Sequence, residues 1–227
     1  MKKSLVLVLM LIVGLGFSAC SKKDNLSTPT VVPTAVPTYV ISFQQGVSPT
    51  AAYSGAVDNC LISNVPTSNF GSLTSLSVGN ASAVVYRMLI RFDLSAFPVG
   101  ASATRAELVI NVNDYGLSNS INAYAVSQDW DAGTSSWNKR NSTDSWTTPG
   151  GDVDTIAGTL YNGGTGEYVI PIMLGYINSW LDYPPSNHGL LLMSADEGTA
   201  LWENIDSCDQ YTSLTLRPTL KIYYIQP

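Results

Sequence analysis

The fold is decided by a stretch near the middle of the chain, Arg87-Met88-Leu89-Ile90-Arg91-Phe92-Asp93-Leu94. The side chains at 88, 90, 92 and 94 are apolar, and they alternate with a set that contains both arginines. Successive side chains of a strand point to opposite faces, so this period of two predicts a strand with one face in a core. A second stretch, 105–112, alternates in the same way and predicts another strand.

Outward from these two stretches, short apolar runs separated by Gly, Asn, Ser and Pro predict further strands. They lie at 40–44, 58–62, 74–78, 121–126, 167–170, 189–194, 200–204 and 219–225. One segment differs, because Leu174, Ile177 and Leu181 follow a helical spacing and predict a short amphipathic helix over 173–181 that ends before Pro184-Pro185. About ten strands with no alternation of strand and helix predict an all-β fold, an antiparallel β-sandwich of the jelly-roll type.

The N-terminus is built like a secretion signal. Lys2 and Lys3 precede an apolar run over 5–15, and Ser18-Ala19 stand directly before Cys20. This arrangement resembles the lipobox of bacterial lipoproteins, in which the cysteine is lipidated and becomes the new N-terminus. An ordinary cleaved signal is the alternative, while a membrane-spanning helix is disfavoured because charged residues follow the short run at once.

This organisation divides the chain into three parts. Residues 1–19 are predicted to be a lipoprotein signal peptide, and 20–38 a lipidated cysteine with a Thr/Pro-rich tether, whose prolines favour extended chain. Residues 39–227 form the predicted domain, long enough for one core. The predicted location is the bacterial cell envelope, lipid-anchored at the outer membrane or cell surface.

Charge argues against one class of partner. Removal of residues 1–19 takes away Lys2 and Lys3 from 11 basic side chains and leaves nine against 17 acidic ones, a formal charge of −8. An acidic chain is a poor match for nucleic acid, so no nucleic-acid partner is expected.

The three cysteines separate into a lipidation site and a pair. Once Cys20 carries lipid, Cys60 and Cys208 remain in an oxidising compartment. They form either a disulfide or two buried thiols on separate strands, because sequence gives no distance between them.

A family resemblance covers nearly all of residues 40–227. It is carried by Asn69-Phe70-Gly71, by the 87–95 stretch, and by Trp130-Asp131-Ala132-Gly133-Thr134-Ser135-Ser136-Trp137-Asn138. It continues through Asn187-His188-Gly189 and Arg217-Pro218-Thr219-Leu220. Together these resemble the DNRLRE domain, which is related to disaggregatase repeats and to a carbohydrate-binding module family. The resemblance implies a β-sandwich that serves as an accessory module, with some members binding acidic polysaccharide.

Arg87 and Arg91 are the first candidate ligand-binding residues. They lie on one face of the predicted strand, where two guanidinium groups could fork onto carboxylate or sulfate groups of an anionic glycan. The alternative is that one or both form structural ion pairs with Asp93 or Glu107.

Five tryptophans supply the second set of candidates, because exposed indoles stack on sugar faces whereas buried indoles fill a core. Trp130 and Trp137 are expected in the core or pinning a loop. Trp146, in a Ser/Thr/Gly-rich segment without apolar period, is the preferred exposed platform, followed by Tyr115.

Metal binding and catalysis are less well supported. Asp129, Asp131, Asp152 and Asp154 are weak candidates for a structural calcium ion, since no complete calcium-loop pattern is present and solvated turn aspartates are the default. No cofactor is expected.

His188 is the sole histidine, and a lyase-like pairing with tyrosine and arginine is the one credible enzymatic alternative, although no spacing groups these residues.

These features predict a non-catalytic envelope lipoprotein that binds extracellular or cell-wall polysaccharide through a sheet face or end loops. A structural or protein-interaction surface lipoprotein is the second interpretation, and a jelly-roll polysaccharide lyase is a minor third.

Overall fold

The computed structural model describes residues 38–117, 120–161 and 163–226. The predicted signal peptide, Cys20 and the tether up to residue 37 lie outside these residues. Within the described ranges no helix is long and apolar enough to cross a membrane. The described chain forms strands β1 Tyr39–Phe43, β2 Ala56–Ile62, β3 Ser75–Ala81, β4 Val84–Phe92, β5 Ser102–Tyr115, β6 Ser120–Val126, β7 Val153–Tyr161, β8 Gly166–Ile172, β9 Leu190–Ser194, β10 Trp202–Asp206 and β11 Thr219–Ile225, with one helix, α1 Leu174–Asp182.

The strands form one continuous antiparallel sheet that closes over a shared core. Two layers can be followed by their pairing: layer A runs β1-β11-β5-β8, and layer B runs β2-β4-β9-β6-β7. Strands β3 and β10 pair with each other and join β4 to β5. The predicted all-β antiparallel sandwich is therefore confirmed.

The core between the layers is built by the predicted alternation. Met88 and Ile90 of β4 and Leu108 and Ile110 of β5 are essentially inaccessible to solvent and belong to one apolar cluster. Ile177 and Trp180 of α1 are buried against the same cluster, which confirms the predicted helix with its bounds shifted by one residue. Burial of such side chains stabilises the fold by about 1.5–3 kcal/mol each.

One strand, β7, was not predicted. It lies at the end of layer B, and Ala157 is its single buried residue. Its sequence, Val-Asp-Thr-Ile-Ala-Gly-Thr-Leu-Tyr, lacks a regular alternation because an edge strand with little buried surface does not require one.

The outer faces of the two layers differ. A long connection, residues 127–152, which we call the tryptophan loop, packs on the outer face of layer B. There Trp130 and Trp146 join Leu61, Leu89 and Leu191 in a second buried cluster. Leu89 is thus fully buried although it points away from the main core. Layer A presents polar side chains on its outer face instead, among them Asn111, Glu167 and Lys221, and Asn204 of the adjoining β10 lies beside them.

Candidate functional site

Arg87 is engaged within the protein. Its Nε and Nη2 donate hydrogen bonds of 2.8 Å to the two carboxylate oxygens of Glu197, and its Nη1 donates to the Gly150 carbonyl oxygen. The guanidinium carbon also lies 4.9 Å from the centre of the Trp137 ring. Arg87 therefore joins the tryptophan loop to the segment after β9, and its donors are directed at protein acceptors.

Arg91 is used in a similar way, although it stays partly exposed. It pairs with the Asp129 carboxylate and lies 5.1 Å above the Trp130 ring. The prediction that both guanidiniums stand free on a solvated sheet face is wrong, because the tryptophan loop covers that face. The ion-pair alternative holds, with Glu197 and Asp129 as partners in place of Asp93 and Glu107.

Trp146 is not an exposed platform, and that prediction is wrong. Its side chain is 4% exposed, and its Nε1 donates to the Ser136 carbonyl oxygen at 2.9 Å. The loop lacks an apolar period because it does not form a strand or helix, yet it folds back onto the apolar outer face of layer B. Tyr115, at the end of β5, is 39% exposed and remains accessible.

The four aspartates are not brought together as one ligand set. Asp129 pairs with Arg91, and Asp131 accepts a hydrogen bond from Thr134. Asp152 is buried and accepts from the backbone N–H groups of Thr147 and Thr148 and from Gln128, so it shapes the tryptophan loop. Asp154 is exposed on β7. Among the described residues, no group of three or more His, Cys, Asp or Glu side chains is placed to hold a metal ion.

His188 lies close to the ion pair of Arg91 and Asp129, with its Nδ1 3.9 Å from the Asp129 carboxylate. Burial lowers the pKa of His188, and the nearby Asp129 carboxylate opposes that effect. Among the described residues, no hydrogen bond joins His188 to a tyrosine.

Cys60 and Cys208 are both free and both buried, so of the two alternatives the structure has the unbridged thiols. Burial raises the pKa of Cys60 to about 12. Beside them, the Asp58 carboxylate accepts a hydrogen bond from the Cys208 backbone N–H at 2.6 Å, and burial raises the pKa of Asp58 to about 7.

A concave surface is present at one end of the sandwich, which we call the end cleft. It has a volume of about 690 Å³ and lies between the segment 93–101, which follows β4, and the C-terminal end of α1. Apolar side chains of Val57, Leu94, Phe97 and Trp180 line it. A cleft of this size can take a small molecule or a few sugar units.

The rim of the end cleft is polar and acidic. Asp93 and Asp182 are both exposed there, and Asp182 makes no hydrogen bond within the described chain. Arg91 reaches the same rim, but its charge is already matched by Asp129. An apolar floor with carboxylate acceptors at its border suits a ligand that has an apolar face and many hydroxyl donors.

The end cleft was not predicted from the sequence. Its two walls come from segments before and after the tryptophan loop, and neither Asp93 nor Asp182 carries a motif of its own. The resemblance includes the 87–95 stretch, which contains Asp93, but nothing in the sequence indicated that Trp180 and Phe97 line one cavity.

Comparison with known proteins agrees with this geometry. Residues 50–155 match the model of carbohydrate-binding module family 96. No curated protein sequence matches the chain. The matched segment contains β2 to β6 and the tryptophan loop, and it supplies the wall of the end cleft between residues 55 and 101. The match supports a carbohydrate-binding type of domain, a kind that is typically non-catalytic, and confirms the prediction at that level.

Proposed function

We propose that this protein is a non-catalytic lipoprotein of the bacterial envelope that binds extracellular or cell-wall polysaccharide in the end cleft. The observation that carries the proposal is the match of residues 50–155 to a carbohydrate-binding module family, together with the cleft that these residues help to form. The lipid anchor and the envelope location rest on the N-terminal sequence pattern alone.

The cleft favours an uncharged glycan over an anionic one. Its rim carries the Asp93 and Asp182 carboxylates, which would repel a uronate or sulfate, and Arg91 is neutralised by Asp129. Arg87, the other arginine expected to hold an anion, already binds the Glu197 carboxylate through two donors. The charge pattern thus points away from acidic polysaccharide.

The binding chemistry assigns different parts of a sugar to different walls. The Phe97 ring and the neighbouring apolar side chains would contact the apolar face of a pyranose ring, while Asp93 and Asp182 accept hydrogen bonds from its hydroxyl groups. Both carboxylates are exposed in the free protein, so binding one or two sugar units requires no unfolding of the site.

Affinity electrophoresis of the full chain tests this function. Gels containing neutral polymers (glucan, xylan, mannan) should retard the protein, and gels containing alginate or pectate should not. Asp182→Ala should reduce the retardation strongly, whereas Asp154→Ala, which removes an exposed carboxylate on β7, should leave it unchanged. Absence of retardation in every gel would refute carbohydrate binding and favour the protein-interaction lipoprotein instead.

A further inference from the structure

A second surface with the chemistry of a sugar site lies on the outer face where β10 meets β5 and β3. Trp202 is half-buried at the start of β10, and its neighbours across the sheet are both glycines, Gly79 on β3 and Gly116 after β5. A Cβ at Gly116 would lie 2.6 Å from Cε2 and 2.8 Å from Cδ1 of Trp202, and closer still to Nε1. Three neighbouring ring atoms at such similar distances mean that the indole covers Gly116 largely with its face.

This geometry leaves the opposite face of the indole turned away from the sheet. Trp130, Trp146 and Trp180 are buried, and Trp137 has a guanidinium above its ring. Trp137 also lies against a glycine, Gly150, but the Arg87 guanidinium covers its ring. Trp202 is therefore the partly exposed indole that packs on a glycine and has no cation above its ring among the described residues. A flat aromatic ring held in this way is suited to stacking on the apolar face of a pyranose.

Polar side chains follow Trp202 along the same face. We call Trp202, Asn204 and Asp206, with Asp114, Asn111 and Asn113 beside them, the Trp202 row. Asn204 comes two residues later on β10, and its Oδ1 accepts a hydrogen bond of 2.6 Å from the Ser77 hydroxyl. This bond fixes the orientation of the amide, while the Asn204 Nδ2 donates to no acceptor in the described part of the chain. Asp114, directly across from Asn204, is exposed. The pair offers one oriented donor and one acceptor for sugar hydroxyls.

Asp206, two residues further along β10, fixes two more side chains of the Trp202 row in the same manner. Asp206 is buried and accepts hydrogen bonds from Asn111 Nδ2 at 2.6 Å and from Asn113 Nδ2 at 2.7 Å. Both amides are therefore held in place before any ligand arrives, and the Asn111 Oδ1 makes no hydrogen bond among the described residues. Preorganised groups lose little conformational entropy on binding.

The Trp202 row leads into a shallow groove of about 260 Å³ on the outer face of layer A. Asn111 belongs to both, Glu167 is its partner across the sheet on β8, and Lys221 lines the groove from β11, where it pairs with Glu107. Trp202 and Asp206 are four residues apart on one strand, so the row alone spans about 13 Å. Together, the row and the groove are long enough for several sugar units in an extended chain.

We propose that this surface, centred on Trp202, is a second polysaccharide-binding site that takes an extended, uncharged glycan chain. The inference rests on the proposed carbohydrate binding but concerns a different part of the molecule from the end cleft. Trp202 provides the stacking surface, and Asn204, Asp114 and Asn111 provide the hydrogen bonds. Two sites on one domain would hold a polymer by avidity, because binding at one raises the effective concentration of chain at the other.

The charge on this surface supports a neutral ligand. The carboxylates of Asp114, Asp206 and Glu167 are largely balanced by Lys221 and Arg217, which line the groove, so the surface carries little net charge. A uronate chain therefore finds no strong net attraction there, whereas a neutral chain presents hydroxyl donors to the carboxylates and amide.

Stoichiometry is the most direct test. Titration calorimetry of the full chain with neutral β-1,4-linked hexasaccharides of glucose, xylose and mannose should give two equivalents of one of them per chain. Trp202→Ala should reduce this to one equivalent and weaken retention on the corresponding polymer at least about tenfold. Tyr161→Ala, which removes an exposed aromatic ring from β7, is the matched control and should leave two equivalents.

Loss of the indole could disturb the sheet above Gly116, so a second variant keeps the test independent of folding. Asn204→Ala removes the oriented donor, leaves Trp202 in place, and should weaken the second site alone. Addition of the hexasaccharide should also protect the fluorescence of the wild type from iodide quenching, and Trp202→Phe should abolish this protection.

The outcomes separate the two proposals. One equivalent in the wild type that is lost in Asp182→Ala and kept in Trp202→Ala would overturn the second site and leave the proposed function standing. Absence of binding to all three hexasaccharides and to their polymers would overturn both. A decrease in the Tyr161→Ala control equal to that of Trp202→Ala would also count against the Trp202 site.

Discussion

The Glu197 carboxylate receives both of its hydrogen bonds from the Arg87 guanidinium, each of 2.8 Å, across 110 residues of sequence. The Arg87 side chain is 15% exposed and that of Glu197 is 22% exposed, so solvent screens this pair only in part. Arg87 simultaneously donates to Gly150 and covers Trp137. One side chain thus joins the outer face of layer B, the tryptophan loop and the segment before β10.

Replacement of Arg87 by alanine should therefore destabilise the protein by roughly 2–3 kcal/mol, since it leaves Glu197 and the Gly150 carbonyl without their donor. Urea denaturation measures this effect. Arg105→Ala is the control, because Arg105 is 57% exposed and its pair with Glu107 should be worth less than about 1 kcal/mol. Where the fold is intact, Arg87→Ala should retain polysaccharide binding, and a loss of binding in a folded variant would contradict the structural role.

Asp58 should make stability depend on pH. Burial raises its pKa to about 7, and its Oδ1 has no hydrogen-bond partner among the described residues. The folded state thus binds a proton at Asp58 more tightly than the unfolded state, so the contribution of Asp58 to stability is fully present below about pH 4 and is lost as the pH rises towards 7. Asp58→Asn keeps an oxygen for the Cys208 N–H and removes the buried charge.

This variant should be more stable than the wild type at pH 8, on the order of a few kcal/mol, and nearly equal to it at pH 4. Thermal unfolding followed by circular dichroism at the two pH values measures the difference. Asp154→Asn, at an exposed position, should show no such divergence. If the stability of the wild type and that of Asp58→Asn changed by the same amount between pH 4 and pH 8, the pKa of Asp58 would not be raised.

Cys60 and Cys208 should behave as inert thiols. Both are buried, and burial raises the pKa of each, so little thiolate is available at neutral pH. The native protein should not react with a maleimide within minutes, whereas the protein unfolded in urea without reductant should take up two labels on these residues. Mass spectrometry of the labelled protein counts them, and no uptake after unfolding would indicate a disulfide.

Trp146 should matter for stability rather than for ligand binding. Its indole fills the cluster with Leu89 and Leu191, and truncation of a buried tryptophan to alanine typically costs about 3–5 kcal/mol. Trp146→Ala should therefore unfold at a distinctly lower temperature but still bind polysaccharide below that temperature. Tyr183→Ala, at a 64% exposed aromatic position, should change the unfolding temperature little.

Gly116 should tolerate no side chain. A Cβ there would enter the space of the Trp202 ring, and the indole would have to tilt off the sheet. Gly116→Ala should cost about 1–3 kcal/mol and make Trp202 more accessible to iodide, measured by fluorescence quenching. Gly175→Ala, at a helical position with open space around it, serves as the comparison and should leave quenching unchanged.

Most strands of the sandwich and its helix could be predicted from local patterns in the sequence. The alternation around Met88 and Ile90, and the helical spacing of Leu174 and Ile177, are local patterns that follow from the geometry of strands and helices, so the strands and α1 were predictable. Strand β7 was not, because an edge strand that buries a single alanine leaves no such pattern.

The roles of the side chains on the outer faces follow instead from contacts between distant parts of the chain. Arg87, Arg91 and Trp146 have the residue types of a glycan site. In the structure, however, the two arginines form ion pairs with Glu197 and Asp129, and Trp146 is buried against layer B. Trp202 has no distinguishing sequence context, yet it stays partly exposed and packs on Gly116, which follows β5. Exposure and pairing depend on segments distant in sequence, and a local pattern cannot report which of them will meet.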